Sequence, residues 1–110
     1  MQVQAITRNV KMSAQKMREV VRQIQGLPAL QAQAVLAIVP RKGARVVAKT
    51  LKSAIANAEN NNKLKPESLR IKEAVAGTAT SIKRFTPKAR CSAGPIIKRR
   101  CHVKITLSDE

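Results

Sequence analysis

The sequence predicts an α+β fold: three helices packed on a three-stranded antiparallel sheet, with a long basic β-hairpin protruding from it. Three observations carry this. β-prone runs with period-two alternation lie near both ends of the chain, and the residues between them repeat at helical spacing. The region from Lys42 to about Asn60 has the clearest helical stripe, Val47, Leu51, Ala54, Ile55 and Ala58. The stretch from Thr80 to Arg100 holds seven bases, Lys83, Arg84, Lys88, Arg90, Lys98, Arg99 and Arg100, and has too few large apolar residues to build a core.

Taken in order, 2–10 read as a strand in which Val3, Ala5 and Thr7 alternate with Gln4, Ile6 and Arg8. Ser13 is a good N-cap for a first helix, whose stripe is Met17, Val20, Val21 and Ile24 and whose end is marked by Gly26. Leu27-Pro28 breaks the chain. A short helix from about Leu30 to Val39 follows, with apolar bulk from Ala34, Leu36 and Ile38, and Pro40 ends it. In the third helix Arg41, Arg45, Lys49 and Lys52 lie opposite the apolar stripe and lack acidic partners one turn away, so that face suits a polyanion. Gly43 weakens its first turn. Asn60 to Glu67 reads as a loop. A strand then places Leu69, Ile71 and Glu73 on one side, continues past Val75, and kinks or bulges at Gly77. On the returning strand Val103, Ile105 and Leu107 face one way, and His102, Lys104 and Thr106 the other.

Between these last two strands lies the arm, about 78–102. Thr86 and Gly94 each precede a proline and favour extended or turning backbone. Ile82, Phe85, Ile96 and Ile97 interrupt the polar residues in a β-like manner. With about a dozen residues a side at roughly 3.3 Å each, the arm would reach about 40 Å. A two-stranded ribbon is marginal in water, and this one repels itself, so it calls for an anionic partner.

Composition bounds the function. At 110 residues the chain reads as one domain, 1–110, arm included. Lys and Arg outnumber Asp and Glu 22 to 6, giving +16, a load that a polyanion relieves. One Phe, no Tyr and no Trp argue against base-stacking single-strand modules and against a Trp-anchored membrane helix. There is no signal peptide, no transmembrane run and no membrane partner to expect. The chain shows no phosphate-binding glycine loop, nucleophile elbow or paired carboxylates beside a histidine, so neither enzyme activity nor a cofactor is expected. Cys91 and Cys101 sit too far apart on a hairpin for a disulfide, and Cys101 and His102 point to opposite faces of a strand, which disfavours a metal site. His102 reads as a satisfied or exposed strand residue, and a reducing intracellular compartment as the chain's home. A nucleic acid of either kind suits this surface, and the resemblance of the chain to a known family favours a structural RNA-binding protein that recognises phosphate and shape. The alternative is a basic architectural DNA-binding protein.

Several segments align with a known family. Ser13-Ala14-Gln15-Lys16-x-Arg18 opens the first helix, Ser53-Ala54-Ile55-Ala56-Asn57-Ala58-Glu59 lies late in the third, and Lys83-Arg84-x-x-Pro87-Lys88-Ala89-Arg90 leads into the arm tip. Lys98-Arg99, His102 and the terminal Ser108-Asp109 follow in the same order. Over essentially its whole length the chain resembles the family of large-ribosomal-subunit protein twenty-two. The resemblance implies a small α+β body near the mouth of the peptide exit tunnel, and a hairpin that threads ribosomal RNA so that its tip lines the tunnel. It also implies early binding in assembly. The implied partners are large-subunit ribosomal RNA, neighbouring large-subunit proteins and the nascent peptide at the tip. Carried over by position, Lys83, Arg84, Lys88 and Arg90 would touch RNA and tunnel, and Ser13, Lys16 and Arg18 would touch RNA from the body. Arg8, Lys11, Arg41, Lys42, Arg45 and Lys49 complete the body's expected RNA-binding set, and Lys98, Arg99 and Arg100 that of the arm. The tip departs from the common pattern: Cys91-Ser92 follows Arg90, and Gly94-Pro95 stands where a polar or charged pair is usual. The implied location is the ribosome of a bacterial cytoplasm, or one whose protein is organelle-encoded.

Overall fold

The computed structural model describes residues 2–87 and 93–109, the side chains of 85–87 and 93–96 excepted. The element order is β1 (Gln2–Val10), α1 (Ala14–Ile24), α2 (Ala29–Ile38), α3 (Lys42–Asn62), a 3-10 turn (Pro66–Ser68), β2 (Arg70–Thr78), β3 (Ile82–Pro87), β4 (Ala93–Lys98) and β5 (Cys101–Ser108). The α+β class and the three-stranded antiparallel sheet are as expected. The last strand is central in that sheet, in the order β1-β5-β2.

The core lies between the sheet and the helices. Met17, Val20, Val21 and Ile24 of α1 are buried, as are Val47, Leu51, Ala54, Ile55 and Ala58 of α3. They meet Val3 and Ala5 of β1 and Cys101, Val103, Ile105 and Leu107 of β5. Thr50 ties α3 to β1: its Oγ1 donates to the Val46 carbonyl at 2.9 Å and shares a 2.6 Å hydrogen bond with Thr7 Oγ1. Gly43 has a packing reason. A Cβ there would lie 3.1 Å from the sulfurs of Met12 and Met17, so the missing side chain lets the first turn of α3 approach α1.

Four expectations change. The helix α3 runs to Asn62, beyond Asn60. Lys63, left-handed at φ 54°, and Leu64 both donate their N–H to the Ala58 carbonyl and close the last turn, while Leu64 packs on the core. In β2 the register shifts between Ile71 and Glu73, so the inward set changes from Leu69 and Ile71 to Ala74 and Ala76, and Glu73 points outward. A strict alternation would have buried that carboxylate. Gly77 is neither bulge nor kink; it pairs regularly with His102. In α2 the buried residues are Ala29, Ala32 and Leu36, whereas Ala34 is exposed and Ile38 is 81% exposed.

The open edge of β2 is covered by the end of α1 and the segment after it. The N–H groups of Gly26 and Ala29 donate to the carbonyls of Ile71 and Leu69, and the Ile71 N–H donates to the Leu27 carbonyl. Past the bulge, Gln25 Nε2 donates to the Ala74 carbonyl and Arg18 Nε to that of Ala76. An edge so occupied offers little to another strand.

The strands β3 and β4 pair antiparallel as a separate two-stranded sheet, from Ile82 opposite Lys98 to Pro87 opposite Ala93. Thr86 and Gly94 lie within it, extended. Six residues a side pair there, fewer than the expected dozen, because the ladder is interrupted beside the body. Between the pairs Thr78–Cys101 and Ile82–Lys98, residues 79–81 face 99–100, joined by the Ala79 N–H to the Arg100 carbonyl. That three-against-two count re-aims the second ladder. The overall extents are 62 × 26 × 17 Å. The expected tip residues Lys88, Arg90, Cys91 and Ser92 lie outside the described residues.

Candidate nucleic-acid interface

The interrupted ladder is where the cations gather. The side chain of Ser13 caps α1 by accepting from the Lys16 N–H at 3.5 Å, which fixes the start of the helix beside the root of the arm. A cleft of about 510 Å³ opens there, walled by Ser13, Gln15, Lys16 and Arg18 on one side and Thr78, Ser81, Arg99 and Arg100 on the other. A second, of about 470 Å³, adds Lys11, Lys42 and Ile97 and shares Ser13, Lys16 and Arg99. A third, of about 330 Å³, lies among Lys11, Ile82, Arg84, Lys98, Arg99 and Arg100. No carboxylate lines any of the three. The exposed N–H groups at the start of α1 add partial positive charge on the same side.

Local geometry brings in Lys11. The pairing of β1 with β5 slips between Thr7 and Val10, where Asn9 takes a left-handed φ of 56°. Its N–H donates to His102 Nδ1 at 3.1 Å, so the single histidine of the chain serves this turn. Lys11 then emerges beside the arm, and its carbonyl accepts from Lys42 Nζ at 3.4 Å.

Of the expected residues, Lys11, Ser13, Lys16, Arg18, Lys42, Arg84, Lys98, Arg99 and Arg100 therefore share one junction. Arg18 has a second task, since its Nε is held by β2. Arg8 on β1, Lys49 on α3 and Lys83 on β3 are exposed but line none of these clefts. Arg45 and Arg41 stand apart, on a groove between α2 and α3. Arg41 is not free of acids: it pairs with Glu19 of α1 at 2.8 Å, both half exposed, a contact worth about 0–1 kcal/mol. Sequence reasoning missed Gln15, Thr78 and Ser81, polar but uncharged; their nearness to the arm's root was the one available signal.

Among the described residues no group of three or more His, Cys, Asp and Glu is placed to hold a metal. Cys101 is a free, buried thiol, and burial pushes its pKa up, so it stays protonated and unreactive. No helix among the described residues is long and apolar enough to cross a membrane.

Residues 5–108 match the family model described as ribosomal protein L22p/L17e. The chain belongs to that family. A protein named large ribosomal subunit protein uL22 from Opitutus terrae is 50% identical over 109 residues, covering 99% of this chain and 96% of its own length. Proteins of the same name from Akkermansia muciniphila and Methylacidiphilum infernorum are 43% and 44% identical over 110 residues, with 98% and 96% of their lengths covered. The L22p/L17e family is structural and non-enzymatic, which agrees with the absence of catalytic motifs from the sequence. Membership favours a place in the large ribosomal subunit over an architectural DNA-binding protein.

Proposed function

We propose that this chain, a structural constituent of the large ribosomal subunit, binds large-subunit ribosomal RNA chiefly at the junction of body and arm. The observation that carries the reading is the set of three adjoining clefts lined by Lys11, Lys16, Lys42, Arg84, Lys98, Arg99 and Arg100 without one carboxylate. Cations from body and arm that line shared clefts suit phosphates that pass between the two. Such an RNA strand neutralises the charge that otherwise forces body and arm apart. Recognition is then by phosphate position and RNA shape, with few base edges read.

In this reading 1–110 act as one RNA-binding domain, and the arm of about 78–102 reaches away from the body through the RNA. Its tip, with Lys88 and Arg90, lines the peptide exit tunnel and meets the nascent peptide. The body contributes Arg8 and Lys49 as peripheral phosphate contacts and joins the subunit early in assembly. The bacterial source of the three relatives supports a place in the cytoplasmic ribosomes of a bacterium.

Binding to a large-subunit RNA fragment, measured across a salt series, tests this. Lys16→Gln with Arg99→Gln should flatten the slope of log affinity against log salt by roughly 1 to 2, as two phosphate contacts are lost. Arg45→Gln with Lys49→Gln should change it less, with circular dichroism unaltered for both. An unchanged slope in the junction variant would show that the clefts are merely solvated.

A further inference from the structure

The helix α2 is the one element of this basic chain without a charged residue: its ten residues read Ala-Leu-Gln-Ala-Gln-Ala-Val-Leu-Ala-Ile. A mostly apolar helix with no charged face is normally buried over most of its surface. Here only the face of Ala29, Ala32 and Leu36 is buried. At about 100° per residue, Leu30, Ala34, Ala37 and Ile38 fall together on the opposite face, and all four are exposed, Leu30 to 46% and Ile38 to 81%. The stripe runs into a groove of about 700 Å³ lined by Ile38, Pro40 and Ala48 together with the cations Arg41, Lys42 and Arg45. Among the described residues Arg45 makes no ion pair.

We infer that this face docks a segment of a neighbouring protein in which an aliphatic side chain, seated against Ile38, is accompanied by an Asp or Glu that pairs with Arg45. The proposal rests on the chain's place in the large subunit. Phosphate gains nothing from an apolar stripe, whereas a protein side chain gains its full burial there, so RNA is the poorer occupant. A second copy of the chain would bring another +16 to a face already lined by cations. An acidic, aliphatic segment satisfies both the stripe and the cations.

The test places a diazirine-bearing aliphatic amino acid at Ile38 in the full chain, assembles it into large subunits, and irradiates them. Mass spectrometry then identifies the adduct. Expected is a peptide adduct on a protein other than this chain, with an Asp or Glu near the cross-linked aliphatic residue. Arg45→Glu in the same chain should lower its yield about fivefold, the scale of one exposed ion pair, and Arg45→Lys should restore most of it. An adduct with RNA, with a second copy or with a segment lacking acids overturns the proposal, as does no adduct at all from a chain that co-sediments with the subunit. Failure to co-sediment would instead overturn the ribosomal reading, and this proposal would fall with it.

Discussion

The strand β5 is paired on both sides, with β2 throughout and with β1 except at His102, and Cys101, Val103, Ile105 and Leu107 on it are fully buried. The strand β4, a few residues earlier, pairs with β3 alone, and Ile97 on it is 46% exposed. The same chain thus builds two ladders with different sources of order. In the body, burial under α1 and α3 holds the sheet in one register. In the arm, six paired residues a side are joined by backbone hydrogen bonds and carry Lys83, Arg84 and Lys98 exposed to solvent. Two-stranded ribbons of this kind are marginal alone. The difference implies that the body folds by itself and that the arm acquires much of its stability from what it binds.

The largest effect should come from the body. Leu51 is fully buried in the stripe of α3. Leu51→Ala should cost about 2–5 kcal/mol through lost burial and the cavity left behind, a large part of the roughly 5–15 kcal/mol typical of a domain. Ile82→Ala, on the half-buried start of the arm, should cost under about 1 kcal/mol. Urea unfolding followed by circular dichroism compares the two. Equal losses would mean that the arm is as firmly built as the body.

A second effect is kinetic. Trypsin needs locally unfolded chain, and local opening is cheapest where few apolar contacts must be broken. The free protein should be cut first after Lys83, Arg84, Lys98 or Arg99, while Lys49 and Lys52 in the packed helix α3 survive longer. Inside the large subunit the arm's bonds should become resistant. If Lys49 and Lys52 are cut as early as Lys83 in the free protein, the contrast between the two ladders fails.

Much of this contrast was legible in the sequence. The stripes of α1 and α3, the caps at Ser13 and Gly26, and the alternation of Val103, Ile105 and Leu107 each follow from local periodicity, and the packing agrees with them. What local pattern could not give was phase and orientation. The shift at Ile71–Glu73 depends on how β2 meets both β5 and the chain after α1, a tertiary matter. The helix α2 has no charged face to orient it, so of its apolar residues the local pattern did not separate Leu36, which is buried, from Ile38, which faces outward. For the site, the sequence supplied the inventory of cations and the structure supplied their meeting. Lys11, Lys16, Lys42, Arg84 and Arg99 are distant in sequence; the central place of β5 and the interrupted ladder bring them together.

The smallest effect is the most discriminating at the junction, because Ser13 belongs to both regions. It caps α1 through a long 3.5 Å contact to the Lys16 N–H, and it lines two of the basic clefts. Ser13→Ala would weaken both roles and separate neither. Ser13→Asp separates them. An aspartate caps a helix about as well as serine, and its charge is favourable at a helix N-terminus. With Lys11, Lys16 and Arg99 around the same clefts, that charge also has cations to meet in the free protein. Thermal stability should therefore hold or rise, by about 0.3–1 kcal/mol at low salt. RNA affinity should move the other way, since the carboxylate would occupy the cations and repel the phosphate they attract. With one contact disturbed, a loss of about fivefold to tenfold at low salt is expected, shrinking as salt screens it. Differential scanning fluorimetry and filter binding on the same preparation read the two quantities. A variant that loses stability and affinity together would make Ser13 a structural cap whose RNA effect is indirect. One that gains stability and keeps its affinity would place the phosphate elsewhere on the junction, nearer Arg84 and Lys98.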